Sequence, residues 1–211
     1  MVEVYIADPA ERDDLGAFVA RAVRLDGQIV VRLKNRAEGM LEAWVATPFD
    51  VLATRAVSGW VRPADSTVSG NELLAELAVV GGDQLNAGSP QDLLWRSALP
   101  PGNGWRVVDE LPASVVSDLA DSGIALAREN TGPQGTPPAS LLDQTVLTVT
   151  DQDHEVKVPL RCLFALSGMG FVGTNGADET VRVSATDSWL RIDALFGAVV
   201  RRRHALLPLL V

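Results

Sequence analysis

The chain has 211 residues, of which 47% are hydrophobic and 21% charged; this excludes disorder as the overall state and leaves room for one large domain or two small ones. A net charge of −9, from 27 acidic and 18 basic residues, disfavours duplex nucleic acid as a partner unless a local basic patch overrides it. The single cysteine, Cys162, excludes an internal disulfide framework, the acidic start argues against a signal peptide, and no apolar run approaches the roughly 20 residues that span a bilayer, so a cytoplasmic location is expected.

Residues 1–6 alternate and predict a short strand. Apolar residues at Leu15, Phe18, Val19, Ala22 and Val23 recur at helical spacing, and Asp8 followed by Pro9 predicts a helix start ahead of residues 10–25. Strand-like runs over 29–34, 41–45 and 49–57 follow, with connections short enough for hairpins, so an antiparallel meander is expected. Ser69-Gly70-Asn71-Glu72 has capping-box spacing, with Leu73, Leu74 and Leu77 on one helix face behind it. Residues 81–90 read as a loop, and Pro90 opens a short helix carrying Leu93, Leu94 and Trp95.

The Pro/Gly-rich stretch 99–104 marks a boundary. Pro112 then opens a helix with Val115, Val116 and Leu119 on one face, which Gly123 threatens to interrupt. Residues 131–140 read as a linker, 145–149 and 155–158 as a hairpin, and Leu160, Leu163, Phe164 and Ser167 as a short helix. Strands over 180–184, 189–194 and 198–203, the last extending towards 211, close the pattern. The fold class is α+β, predominantly antiparallel, in two similar helix–meander halves. Val31-Arg32-Leu33 parallels Val181-Arg182-Val183, Leu41 parallels Leu190 and Phe49 parallels Phe196, as an internal duplication would leave them. The expected halves are 1–98 and 105–211, with one continuous domain as the alternative.

No motif carries chemistry. Gly168-Met169-Gly170-Phe171-Val172-Gly173 has dinucleotide-fingerprint spacing, but a helix precedes it and a polar turn follows, where that chemistry needs a strand and then a helix. Cys162 lies in an apolar stretch that suits a buried side chain better than a thiolate activated by His154. Cys162, His154 and His204 lack zinc spacing, and Asp151-Gln152-Asp153 lacks the glycine and glutamate of a calcium loop. No catalytic, metal or cofactor-binding residue is assigned, and no cofactor.

Five tryptophans beside one tyrosine, and Arg201-Arg202-Arg203, point instead to contact surfaces. Trp44, Trp60, Arg62, Arg201 and Arg203 are the candidate partner or anion contacts, because exposed tryptophan near arginine is what interface hot spots look like. Core packing of Trp44 and a charge-protected edge strand are the competing explanations. The expected function is a non-catalytic interaction or assembly module with a protein partner or a second copy as in a homodimer, nucleic acid being disfavoured and any small molecule unspecified. The alternative is an enzyme or ligand binder with a dispersed site around Arg182, Arg191 and Asp193.

With Arg21-Ala-Val-Arg-Leu-Asp26, Pro48-Phe-Asp-Val-Leu52, Leu141-Leu-Asp-Gln144 and Gly168-Met-Gly-Phe171 in view, the chain resembles a family of conserved hypothetical proteins from actinobacteria. The dominance of arginine, with Lys34 and Lys157 the only lysines, agrees with a GC-rich source. That resemblance implies no activity and no site residues.

Overall fold

Asp8 and Pro9 start the first helix as the sequence predicts. In the computed structural model, which describes residues 1–79, 82–129, 137–151, 154–172 and 179–203, the Asp8 carboxylate accepts from the Ala10 N–H at 2.9 Å. Pro9 opens the helix, where a missing N–H costs nothing. This helix, α1 (Pro9–Leu25), follows a short strand, β1 (Glu3–Tyr5), and buries Leu15, Phe18, Val19 and Ala22.

The meander comes next as β2 (Val30–Asn35), β3 (Met40–Thr47) and β4 (Val51–Ser58). Leu33 faces Ala43 and Val45 faces Ala53 across the ladders, so Val31, Leu33, Leu41, Ala43, Val45, Ala53 and Val57 form one buried face. Two further strands follow β4, namely β5 (Trp60–Arg62) and β6 (Asp65–Ser69). The latter pairs with the free side of β2 and gives the antiparallel order β6-β2-β3-β4. Then come α2 (Gly70–Val79) and β7 (Gln84–Asn86). A second antiparallel sheet, β5-β1-β7, has Val4, Val61 and Leu85 on its buried side.

The chain folds as two compact units, Met1–Ala98 with Gly168–Gly170, and Leu99–Ser167 with Phe171–Val211. The second unit contains β8 (Arg106–Pro112), α3 (Ala113–Glu129), α4 (Ala139–Leu142), β9 (Thr145–Asp151), β10 (His154–Pro159), α5 (Leu160–Gly168), β11 (Thr180–Ala185), β12 (Trp189–Ala194) and β13 (Gly197–Arg202). Its antiparallel order is β13-β12-β11-β8, and β9 pairs with β10.

The protein is thus α+β with antiparallel sheets and two similar helix–meander halves. Residues 31–33 and 181–183 do occupy the same strand of their meanders, β2 and β11. The likeness goes further than the sequence showed. β6 flanks β2 as β8 flanks β11, and β7 flanks β1 as β9 flanks β10. In the first unit the block β1-α1-β2-β3-β4 precedes β6-α2-β7, whereas in the second β8-α3-β9 precedes β10-α5-β11-β12-β13. Apart from β5, which has no counterpart among the described residues of the second unit, the two units share one set of pairings in circularly permuted order.

Three local expectations change. Of the expected Val115, Val116 and Leu119 face, the third helix buries Val116, together with Ala113, Ala120, Gly123 and Ala127, while Val115 is exposed and Leu119 half-buried. Gly123 does not interrupt it, and its missing Cβ leaves the space that the Leu160 side chain fills. The helix expected after Pro90 is a single 3-10 turn, Asp92–Leu94, and the loop expected over 81–90 contains β7. The linker over 131–136, the chain tip at Gln152 and Asp153, the last glycine of the Gly168 motif, and the extension from His204 to 211 lie outside the described residues. Among the described residues, no helix is long and apolar enough to cross a membrane.

Candidate functional site

Alternation along β1, β5 and β7 puts one row of side chains inside and the other outside. With Val4, Val61 and Leu85 buried, the register Glu3↔Arg62, Tyr5↔Trp60, Glu3↔Asn86 and Tyr5↔Gln84 collects Tyr5, Trp60, Arg62, Glu3, Gln84 and Asn86 on the opposite face. Tyr5 stacks on Trp60 with ring centroids 5.4 Å apart and planes 13° from parallel. The Arg62 guanidinium lies 5.5 Å from the Trp60 centroid, within cation–π range. The Asn35 amide accepts from Val61 N–H at 2.7 Å and donates to Val61 C=O at 2.9 Å, so it locks β5 against the end of β2. A recess of about 390 Å³ opens beside this strand, lined by Asn35, Trp60, Val61, Arg62 and Ala64.

A second feature stands at the β6 edge. The Asp92 carboxylate accepts from Thr67 N–H at 2.6 Å, and Gln91 N–H donates to Thr67 C=O at 2.7 Å, which covers the open edge of the sheet. Trp95 then lies over the Arg32 guanidinium, 5.8 Å away. The turn so pinned holds Leu93 91% exposed and Leu94 55% exposed. Thr67 is buried, so Asp92→Ala strands its N–H; the expected cost is about 1–2 kcal/mol, read as a lower midpoint in chemical denaturation.

Arg32 also clasps Asp65 through two bonds of 2.7 and 2.8 Å. The hydrogen bonds from Arg32 hold the Asp65 carboxyl below the usual carboxylate range, and those to Asp65 raise the guanidinium. A lowered acid contributes stability above the unfolded-state value and loses it as pH falls through the folded one. Asp65 is 37% exposed, so screening limits the pair to below about 1 kcal/mol. Asp65→Asn is therefore slightly less stable than wild type at neutral pH, and in melts the difference starts to shrink below about pH 4 and disappears only once the pH has fallen through the lowered folded-state value.

The other sequence candidates are scattered. Trp44 is buried on the outer sheet face between Arg32 and Thr54, and its Nε1–H donates to Glu42 at 3.3 Å. Arg201 shares the inner face with Leu190, and its Nη2 lies 3.5 Å from Asp143. Arg203 donates to the carbonyls of Thr186 and Glu155 at 3.0 and 2.8 Å. Arg202, part of the arginine run but not among the five candidate contacts, lies 4.6 Å from the ring centre of Trp189. Cys162 is buried in α5, and the His154 side chain lies outside the described residues. No group of three or more His, Cys, Asp or Glu side chains among the described residues could hold a metal ion. Of the five candidates only Trp60 and Arg62 meet, and they meet beside Tyr5, Gln84 and Asn86, which sequence reasoning missed. Residues 1–6 did read as a strand, but β5 and β7 offer only one central apolar residue each, Val61 and Leu85, which is too short a signal to read alone.

A family model described as Domain of unknown function (DUF8185) matches residues 100–206, and one described as Domain of unknown function (DUF8010) matches residues 1–97. No curated protein matches the sequence. Solved structures do resemble the fold. The Caulobacter crescentus pol III beta matches at TM-score 0.59 and 13% identity, over 99% of this chain and 66% of that one. A putative DNA polymerase III beta subunit from Eubacterium rectale matches at 0.61 and 10%, over 98% and 66%. A DNA polymerase sliding clamp from Pseudomonas aeruginosa matches at 0.58 and 14%, over 99% and 66%. The chain therefore spans 66% of the length of these clamps, and at such identities the likeness shows the fold.

This likeness corrects the expected function and, among the expected partners, the disfavouring of nucleic acid; the expected protein partner or second copy agrees with it. A module of unstated function with nucleic acid disfavoured does not stand beside the fold of DNA polymerase sliding clamps. The error came from net charge, a sum over the chain that carries no information about fold. Of the residues named for a dispersed site, Arg182 pairs with Glu110 at 2.8 Å and Arg191 with Asp193 at 2.6 Å.

Proposed function

This chain belongs to the DUF8185 family, and we propose that it works as a clamp-type scaffold that associates with DNA and engages other proteins there. The observation that carries the reading is a sliding-clamp fold over 98–99% of the chain, found with clamps from several bacteria. The exposed Leu93–Leu94 turn supports the protein-engaging part, because a pinned apolar knob is presented at little entropic cost. A cytoplasmic location and an actinobacterial source belong to the same reading, supported by the lone cysteine and the arginine usage, and fractionation of the native cells tests the first.

A protein that slides is lost from free ends and kept on a closed circle. At −9 net charge, retention that depends on enclosure rather than on phosphate contacts should also resist salt. The test is gel filtration of the full chain with nicked circular plasmid and with the same plasmid linearised. Retention on the circle, lost on linearisation and little changed between about 50 and 200 mM salt, is expected. Equal elution from both DNAs overturns the reading.

A further inference from the structure

We propose that the outward face of the β5-β1-β7 sheet binds single-stranded nucleic acid, with one or two bases stacked on the Tyr5–Trp60–Arg62 surface. The inference rests on the reading that the protein works at DNA, and adds a site to it. The face has the parts such binding needs. The rings of Tyr5 and Trp60 already form a short, near-parallel stack, and a base can extend it on a ring face that the pair leaves open. Arg62 extends that surface and supplies a cation for a phosphate, and among the described residues no carboxylate lies within ion-pair distance of it. Gln84 is exposed at the cross-strand position from Tyr5 and can hydrogen-bond a base edge.

Size and rigidity agree with this occupant. Three strands about 4.8 Å apart and two outward rows about 7 Å apart make a platform of roughly 10 by 7 Å, the footprint of one or two stacked bases. The recess of about 390 Å³ at its β5 border leaves room for a sugar beside Arg62. Asn35 holds β5 through both polar groups of Val61, so the platform needs no ordering on binding. Glu3, across from Arg62, keeps the face near neutral and limits it to about one phosphate contact. Stacking thus dominates, and the salt slope is small, about −0.7 for one phosphate on a single strand.

The test is fluorescence anisotropy of a labelled oligo-dT of about eight nucleotides with the full chain, at several salt concentrations. Saturable binding is expected, with a log–log salt slope nearer about −1 than −3. Trp60→Ala weakens it about tenfold or more, Trp60→Phe largely restores it, and Arg62→Gln weakens it severalfold and flattens the slope. Thermal melts show whether each variant folds, and the phenylalanine variant keeps the stacking claim testable if the alanine variant does not. Absence of binding, or binding indifferent to both Trp60→Ala and Arg62→Gln, overturns the site. Displacement of the oligonucleotide by poly-glutamate with the same variant dependence also overturns it, in favour of an acidic peptide. Retention on circles without oligonucleotide binding sinks this site and leaves the clamp reading; Trp60-dependent oligonucleotide binding without retention does the reverse.

Discussion

Gly59→Ala destabilises the protein by about 3 kcal/mol, lowers the melting temperature by roughly 6–12 °C, and abolishes stacking on the Tyr5 face. Gly59 joins β4 to β5, and its N–H donates to the Gly39 carbonyl at 2.9 Å. A Cβ at this position would run into the backbone carbonyl oxygen of Tyr5 and press on the Ile6 side chain at 3.2 Å. A flexible side chain could withdraw, but Tyr5 is paired with Trp60 on one side and Gln84 on the other, so its carbonyl cannot. The chain must instead lift β5 away from β1, and the residue it lifts first is Trp60. Thermal melts give the stability arm and oligonucleotide anisotropy the binding arm. A variant melting within about 2 °C of wild type contradicts this account of the junction.

Asp143→Ala is the second large effect, a loss of about 3 kcal/mol centred on the second unit. Arg161, on α5, has a side chain only 8% exposed, and its Nε and Nη2 donate to one oxygen of Asp143 at 2.8 and 2.6 Å. Arg201 approaches the same oxygen at 3.5 Å from β13. Removing the carboxylate leaves a buried guanidinium without its main counter-charge, and this dominates the cost. Because Asp143 is itself 54% exposed and Arg161 has further contacts, the effect falls at the lower end of what breaking a buried pair costs. Replacing both partners, as in Asp143→Leu with Arg161→Met, removes the stranded charge and is expected to restore most of the loss. Urea denaturation of the two singles and the double reads this directly; a double variant no better than Asp143→Ala refutes it.

Neither residue was a sequence candidate, and the reason is general. Arg161 and Asp143 lie in different elements, and Gly59 looks like any turn glycine until Tyr5 is seen behind it. Likewise the charges of Arg201 and Arg203 read as a surface patch in one dimension, whereas alternation along β13 turns Arg201 inward to Asp143 and Arg203 spends its donors on two carbonyls.

What the sequence determined by itself was every feature with a local period. The helical spacing of Leu15, Phe18, Val19 and Ala22 behind Asp8 and Pro9 specified α1, and two-residue alternation specified both meanders and their likeness. What the tertiary structure alone decided was whatever depends on pairing between distant segments: the three-residue strands β5 and β7, too short to carry a period, the permuted order of the second unit, the clamp fold, and the meeting of Tyr5, Trp60, Arg62 and Gln84. Periodicity is a property of neighbours along the chain and survives without the fold, whereas strand pairing is fixed by burial of Val4, Val61 and Leu85 against a core that exists only once the whole unit has closed.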